Sequence, residues 1–214
     1  MTSLKHFNKL TMSVIAFFLS ATCVFAEPAE DPEKIIEKLF WGNLYVKGGN
    51  TFYCNEPFKS KSPLLAASHV YSGSWVRDNL RCGTKRQCER ESEDYKRIMA
   101  DLHNVVPADS YFDFKRKNAL FGTLDQALKP NKCGIRKKFQ VIEPPNRIKG
   151  DIARIMFYMN KRYQLPLMTN VPELKRWHEL DPPDAAEQAR NRAIAALQGE
   201  SNPYIDDPKL ADSL

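Results

Sequence analysis

The chain has 214 residues, 43% of them hydrophobic and 27% charged, with a formal net charge of +6 at pH 7. That length supports one domain with a sizeable core, and the lack of internal repeats or low-complexity segments excludes a repeat architecture. The positive charge is concentrated: residues 111–150 carry ten Lys or Arg against three Asp or Glu, while residues 171–214 carry five against nine, so a polyanionic partner is expected on the first stretch.

Residues 1–26 have a basic start (Lys5, Lys9), an apolar run from Met12 to Phe25 and the small-residue end Val24-Phe25-Ala26, the pattern of a secretory signal peptide. The run is shorter than the roughly twenty residues of a membrane span. Next, Asp31 caps a helix with Pro32 at its first position. Ile35, Ile36, Leu39, Phe40 and Leu44 share one face until Gly48-Gly49-Asn50 stops it. A short extended piece over 51–54 precedes a polar, turn-rich loop over 55–63, and apolar residues 64–70 predict a strand that delivers His69. Tyr95, Ile98, Met99 and Leu102 repeat at helical spacing, which puts His103 and Asn104 at a helix end before Pro107. Ile148, Ile152, Ile155, Met156, Met159 and Tyr163 define a longer core helix. Asn170 and Glu173 cap a short helix around Trp177, and Asp181-Pro182 begins a last helix that Gly199 ends. The acidic end, 206–214, reads as a frayed tail.

Cleavage after Ala26 removes Cys23 and leaves Cys54, Cys82, Cys88 and Cys133, an even number for an exported protein. Four cysteines allow three pairings, and the sequence does not choose among them. The short loop from Cys82 to Cys88, with Gly83 and Thr84, can close locally, which would leave Cys54 with Cys133. Export and the lack of paired Cys-x-x-Cys spacing argue against a zinc site.

The residues that carry chemistry are His69-Val70, then, about thirty residues on, Asp101-Leu102-His103-Asn104-Val105-Val106-Pro107-Ala108, then Asp113-Phe114-Lys115-Arg116-Lys117-Asn118. A neutral imidazole, an oxygen ligand for a hard cation and nearby cations are what a one-metal phosphodiester hydrolase needs, because water must be deprotonated while charge builds on a phosphate. The aromatics Tyr111, Phe112, Phe114, Phe121 and Phe139 interleave with the cations, as on a phosphate-tracking surface, or else form core beneath a solvated charged face.

With Thr51-Phe52-Tyr53-Cys54, Glu143-Pro144-Pro145-Asn146-Arg147-Ile148-Lys149-Gly150-Asp151-Ile152-Ala153-Arg154, Phe157-Tyr158-Met159, Arg162-Tyr163-Gln164-Leu165 and Gln198-Gly199-Glu200-Ser201-Asn202-Pro203-Tyr204, these segments resemble the bacterial endonuclease I family. Its members are periplasmic or secreted nucleases with a ββα-metal core related to that of HNH nucleases. The resemblance implies an α+β, mostly helical single domain over residues 27–205 around a ββα-metal (His-Me finger) nuclease core. It makes His69 the general base, with His103 and Asn104 bracing the site. It places a phosphate-stabilising cation just before Cys88, where Lys85 or Arg86 stands; Arg86 is the better candidate, because a guanidinium grips two oxygens. Arg116 and Asn118, with Lys115 and Lys117, would contact the nucleic-acid backbone.

Two departures from the family pattern bear on the metal. Ser68 stands where the family has a metal-binding glutamate, and Asp113 where it has a metal-binding asparagine. One divalent cation, Mg²⁺ first and Mn²⁺ or Ca²⁺ as alternatives, would then be held mainly by Asp113, with Ser68 holding a metal-bound water. The segment between Cys54 and His69 is also shorter than is usual, which puts the first strand of the ββα unit in question. The implied protein is a monomeric, metal-dependent, sequence-nonspecific endonuclease of DNA, with RNA as a further substrate, periplasmic or secreted and off the membrane once the leader is cut. The alternative is a catalytically degenerate nuclease fold that binds nucleic acid without turnover.

Overall fold

The computed structural model describes residues 29–214, so the signal-peptide reading of residues 1–26 lies outside the described residues. Asp31 accepts a hydrogen bond from Glu33 N (3.0 Å) and Pro32 opens α1 (Pro32–Ile35), which runs on as a π-helical stretch, Ile36–Leu44. The apolar face is the expected one, with Phe40 and Trp41 buried in a small cluster with Leu102, Val105 and Ile194, but the wider winding was not foreseen. Gly48 has φ +81°, and a Cβ there would meet Phe58 O at 2.1 Å, so glycine lets β1 (Gly49–Asn50) lie against β2 (Pro57–Phe58). Residues 51–54, expected as extended, form a turn instead, closed by Asn55 N to Thr51 O (2.8 Å) and Thr51 N to Glu56 O (2.8 Å).

The frame of the site is a pair of strands. β3 (Leu65–His69) forms as expected and pairs antiparallel with β4 (Val105–Asp109), in a register that sets His69 opposite Val105 and Ser68 opposite Val106. Three short helices fill the connection: α2 (Gly73–Leu80), α3 (Lys85–Glu91) and α4 (Glu93–Ala100), N-capped by Ser72, Thr84 and Ser92. A 3₁₀ turn, Leu102–Asn104, leads into β4, and α5 (Ser110–Arg116) follows at once, capped by Asp109. A second small sheet has the order β5-β7-β6: β5 (Leu120–Phe121) runs parallel to β7 (Val141–Glu143), and β6 (Arg136–Lys138) antiparallel to it.

The centre of the core is α6 (Lys149–Tyr163), with Ile152, Ala153, Met156, Phe157 and Met159 wholly buried. α7 (Val171–Leu180) is capped by Asn170 as expected. α8 (Ala185–Gln198) ends at Gly199 as expected but is capped by Asp184, not Asp181, whose carboxylate instead accepts from Gly150 N (2.9 Å). After α9 (Pro203–Asp206), the acidic end winds into a 3₁₀ turn, Pro208–Ser213, with Ala211 buried and Lys175 Nζ donating to Asp212 O (3.1 Å). That end packs and does not fray, because Leu210 and Ala211 give it an apolar face on the core. Cys54 pairs with Cys133 and Cys82 with Cys88. The result is a mixed α/β domain of many helices and small sheets, and no helix among the described residues is long and apolar enough to cross a membrane.

Candidate active site

His69 is the last residue of β3, and three contacts fix its backbone. β4 pairs with it; Asn104, two residues beyond, exchanges hydrogen bonds with Tyr71 N (2.6 Å) and Tyr71 O (3.0 Å); and the Arg116 guanidinium donates to His69 O and, at 3.3 Å, to Val70 O. The ring is set by α4. A helix leaves its last carbonyls without intrahelical partners, and His69 Nε2 lies 2.8 Å from one of them, Met99 O. A carbonyl can only accept, so Nε2 carries the proton and Nδ1 presents a free lone pair. Burial pushes the imidazole below its ordinary pKa of 6.5, and the Arg116 and Lys85 charges push the same way, against the Met99 bond and Asp113. The ring is therefore a neutral base at neutral pH.

The neighbouring residue faces elsewhere, as alternation along a strand requires. Ser68 is 1% exposed, and its hydroxyl donates to Asp113 Oδ1 on α5. Its proton braces the carboxylate, and its oxygen keeps the acceptor capacity that the expected bond from a metal-bound water would use. Arg116 Nη2 lies 4.0 Å from the same Asp113 oxygen. Tyr53, absent from the residues expected here, completes the group. It is buried, its hydroxyl neighbours Ser68 without a well-formed hydrogen bond, and burial raises its pKa against the opposing pull of Arg116, so it keeps its proton. Its sequence signal was its place beside Cys54 in the family-like segment Thr51-Phe52-Tyr53-Cys54.

No group of three His, Cys, Asp or Glu side chains gathers among the described residues. One carboxylate with two neighbouring hydroxyls nevertheless fits a hard, mostly hydrated cation, because Mg²⁺ keeps several waters and uses one or two carboxylates. The unpartnered Tyr53 Oη and Arg116 Nε are the kind of buried polar atoms that such a hydration shell satisfies.

A cleft of about 730 Å³ opens in front of His69. Its lining includes the cations Arg77, Lys85 and Lys117, with Asn118, and the carboxylates Glu33 and Glu37 of the α1 segment. Glu89 also lines it, paired to Lys85 at 3.2 Å. Ser68 and Asp113 adjoin this cleft without lining it. Lys85 lines the cleft at His69, whereas Arg86, the better candidate by its chemistry, is exposed on α3 and is not among the lining residues. Arg77, which has no ion pair among the described residues, was missed because nothing in its local sequence marks it. Arg116, expected to contact nucleic acid, is 4% exposed and committed to backbone carbonyls, so it supports the site from beneath. Lys115, Lys117 and Asn118 are exposed. Asn104 braces the strand that carries His69, whereas His103 points away, its Nε2 2.9 Å from Glu200 O and its ring centroid 4.7 Å from that of Tyr158, the two planes tilted by 55°.

A free imidazole nitrogen beside a braced carboxylate, over a cleft whose lining includes Arg77, Lys85 and Lys117, defines a class of site, one suited to general-base chemistry on a charged substrate. The chain belongs to the endonuclease I family: the family model described as Endonuclease I matches residues 45–209. It is similar to "Endonuclease-1" of Buchnera aphidicola subsp. Acyrthosiphon pisum (strain APS), 33% identical over 170 residues that cover 76% of this chain and 66% of the relative. It is also similar to a "Periplasmic deoxyribonuclease" of Aeromonas hydrophila, 34% identical over 194 residues covering 76% and 81%. An "Extracellular ribonuclease" of Bacillus subtilis (strain 168) is 30% identical over 183 residues, covering 76% and 59%. The chain thus spans slightly less than two thirds of the Buchnera protein and a smaller share of the Bacillus one.

Proposed function

We propose that this protein is an exported, metal-dependent, sequence-nonspecific endonuclease that hydrolyses phosphodiester bonds of DNA, with RNA as a second substrate. The observation that carries the reading is the His69 ring, whose Nε2 is held by Met99 O so that Nδ1 is left as a base at the cleft. The names of the relatives, periplasmic for one and extracellular for another, support export, and deoxyribonuclease and ribonuclease support the substrate class. β3, β4 and α5 are read as the ββα-metal unit, with His69 on the first strand and Asp113 on the helix.

In this reading His69 Nδ1 takes a proton from the attacking water, and the Met99 carbonyl keeps the ring in the tautomer that can do so. Lys85 and Arg77 hold the phosphate oxygens in the cleft, and Lys117 and Asn118 hold the chain as it leaves. Asp113, braced by Ser68 and backed by Tyr53, would hold the divalent cation, which when bound supplies charge stabilisation at the phosphate and the leaving oxygen. The P–O bond to the leaving oxygen breaks, and that oxygen takes a proton from water.

Supercoiled plasmid incubated with the purified, oxidised protein tests this. With Mg²⁺ or Mn²⁺ it is nicked and then linearised, and EDTA stops both. His69→Ala slows cleavage by about a hundredfold or more while DNA affinity persists, since phosphates are held by Lys and Arg. Asp113→Ala loses cleavage at every metal concentration. A preparation that binds DNA and makes no metal-dependent cut establishes the degenerate binding protein instead.

A further inference from the structure

Phe139 is difficult to explain as a folding residue. It sits in the turn between β6 and β7, it is 85% exposed, and its backbone has φ +51°, in the left-handed region that a bulky side chain occupies at a cost. Glycine or asparagine would close that turn with less strain and less exposed apolar surface. Two further exposed aromatics stand on α5: Tyr111 is 70% and Phe114 65% exposed. These three are the aromatic members of the exposed large hydrophobic set among the described residues, and all lie within the basic stretch. Lys115 Nζ is 5.4 Å from the centroid of the Tyr111 ring and Lys117 Nζ 5.7 Å from that of Phe114, so cations and rings share one surface.

The surface runs on from the cleft. Lys117 and Asn118 line the cleft, and Leu120 N donates to Gln140 O (2.8 Å), which sets the turn bearing Phe139 beside the strand that follows Asn118. Lys137 Nζ donates to Lys115 O (2.9 Å), tying β6 to the end of α5. A polyanion held at His69 and leaving past Lys117 therefore meets these rings.

We infer that Phe139, Phe114 and Tyr111, with Lys115, Lys117 and Lys138, form a stacking platform for unpaired bases that draws single-stranded nucleic acid into the cleft. In a duplex the base faces are covered by their neighbours, so a projecting ring finds a partner only where bases are unpaired. The cations meet the phosphates between stacked bases, which matches the occupant in charge as well as shape. The platform makes single strands, or melted segments of duplex, the preferred substrate. It rests on the reading of the cleft as a nucleic-acid site.

Fluorescence anisotropy in EDTA, where nothing is cut, tests the platform with three probes: an unpaired oligonucleotide, a blunt-ended duplex of equal charge, and an abasic phosphodiester strand. Phe139→Ala weakens binding of the unpaired strand about tenfold, within the range for losing one base–aromatic stack, and changes duplex and abasic binding less than twofold. Phe139→Trp restores the unpaired strand. Phe139→Gly raises the Tm while losing the same affinity, because it relieves the backbone and removes the ring. Equal losses on all three probes, or no loss on the unpaired strand, overturn the platform. The plasmid assay separates the two readings. If Phe139→Ala leaves strand preference unchanged in a parent that cuts plasmid, only the platform falls. If the unpaired strand binds through Phe139 in a parent that cuts nothing, the nuclease reading falls and the platform stands.

Discussion

Met99 contributes its backbone carbonyl to the site, and the ring it orients shows how far residue-level chemistry depends on distant chain. His69 and Met99 are thirty residues apart, and Ser68 and Asp113 forty-five. The imidazole was legible in the sequence because its segment resembles a known one. Its tautomer was not, since that depends on which carbonyl a helix end leaves free. The bond from Ser68 to Asp113 was not legible for a similar reason: a hydroxyl donates to the nearest strong acceptor, and only the fold shows that this is a carboxylate. The electrostatics make a direct prediction. Burial, Arg116 and Lys85 disfavour the imidazolium, so in metal-free protein the His69 ring protonates with a midpoint below 6.5. Lys85→Ala removes a cation that opposes protonation and raises the midpoint, whereas Asp113→Ala removes an anion that favours it and lowers the midpoint. NMR titration of the ring in EDTA reads both. A midpoint at or above 6.5 in the parent, or shifts of the opposite sign, would mean that the ring is not enclosed as described.

Among the elements, the ones with strong periodicity were legible and the short ones were not. α6 announces itself by isoleucine and methionine at helical spacing, α7 by its capping residue and α8 by the glycine that ends it. α3 and the β5-β7-β6 sheet carry little apolar periodicity of their own, and α3 forms with its Thr84–Gln87 capping box and with α2 and α4 packed against it. Even α6 conceals a feature that periodicity cannot reveal. Arg154 is 1% exposed and bonds both carboxylate oxygens of Glu187 on α8 (2.8 and 2.6 Å) as well as Asp181 O (2.7 Å). Asp151 lies 3.8 Å from the same guanidinium, and burial with Glu187 nearby holds its carboxyl well above the usual carboxylate range. Removing the cation leaves Glu187 buried without its partner. Arg154→Ala should therefore cost about 3–5 kcal/mol, read as a lower urea midpoint. Arg154→Met combined with Glu187→Leu should recover most of it, since apolar side chains of similar size replace a buried pair at little cost. If the double variant is as unstable as the single one, the clip contributes more than charge compensation.

At the scale of the whole molecule, net charge was a poor guide to surface. The basic stretch is real, yet Arg116 and Lys149 within it are buried, Lys149 at 2.7 Å from Glu143, and Arg147 is turned to Phe52 O (3.0 Å) and Tyr53 O. The cations left facing solvent near the cleft are fewer than the sequence count suggests, and of the five aromatics in the stretch Tyr111, Phe114 and Phe139 stand among them, whereas Phe121 is buried and Phe112 packs on the core. The two disulfides have different parts in holding this frame. Cys82 and Cys88 are six residues apart and close the loop before α3, whereas Cys54 and Cys133 are 79 apart and tie the turn carrying Tyr53 to the segment before β6. A cross-link restrains the unfolded chain more the longer the loop it closes, by about 4–5 kcal/mol for the long loop and about 2–3 kcal/mol for the short one in the chain-entropy model. Cys54→Ser with Cys133→Ser should therefore lower the urea midpoint more than Cys82→Ser with Cys88→Ser. It should also release Tyr53 from behind Asp113 and raise the metal concentration that half-maximal cleavage requires. The short-loop pair should act mainly through Lys85 at the start of α3, reducing the cleavage rate at saturating metal. Equal stability losses, or an unchanged metal requirement in the long-loop variant, would show that Tyr53 is held by packing against Phe52 and Phe112 and not by the disulfide beside it.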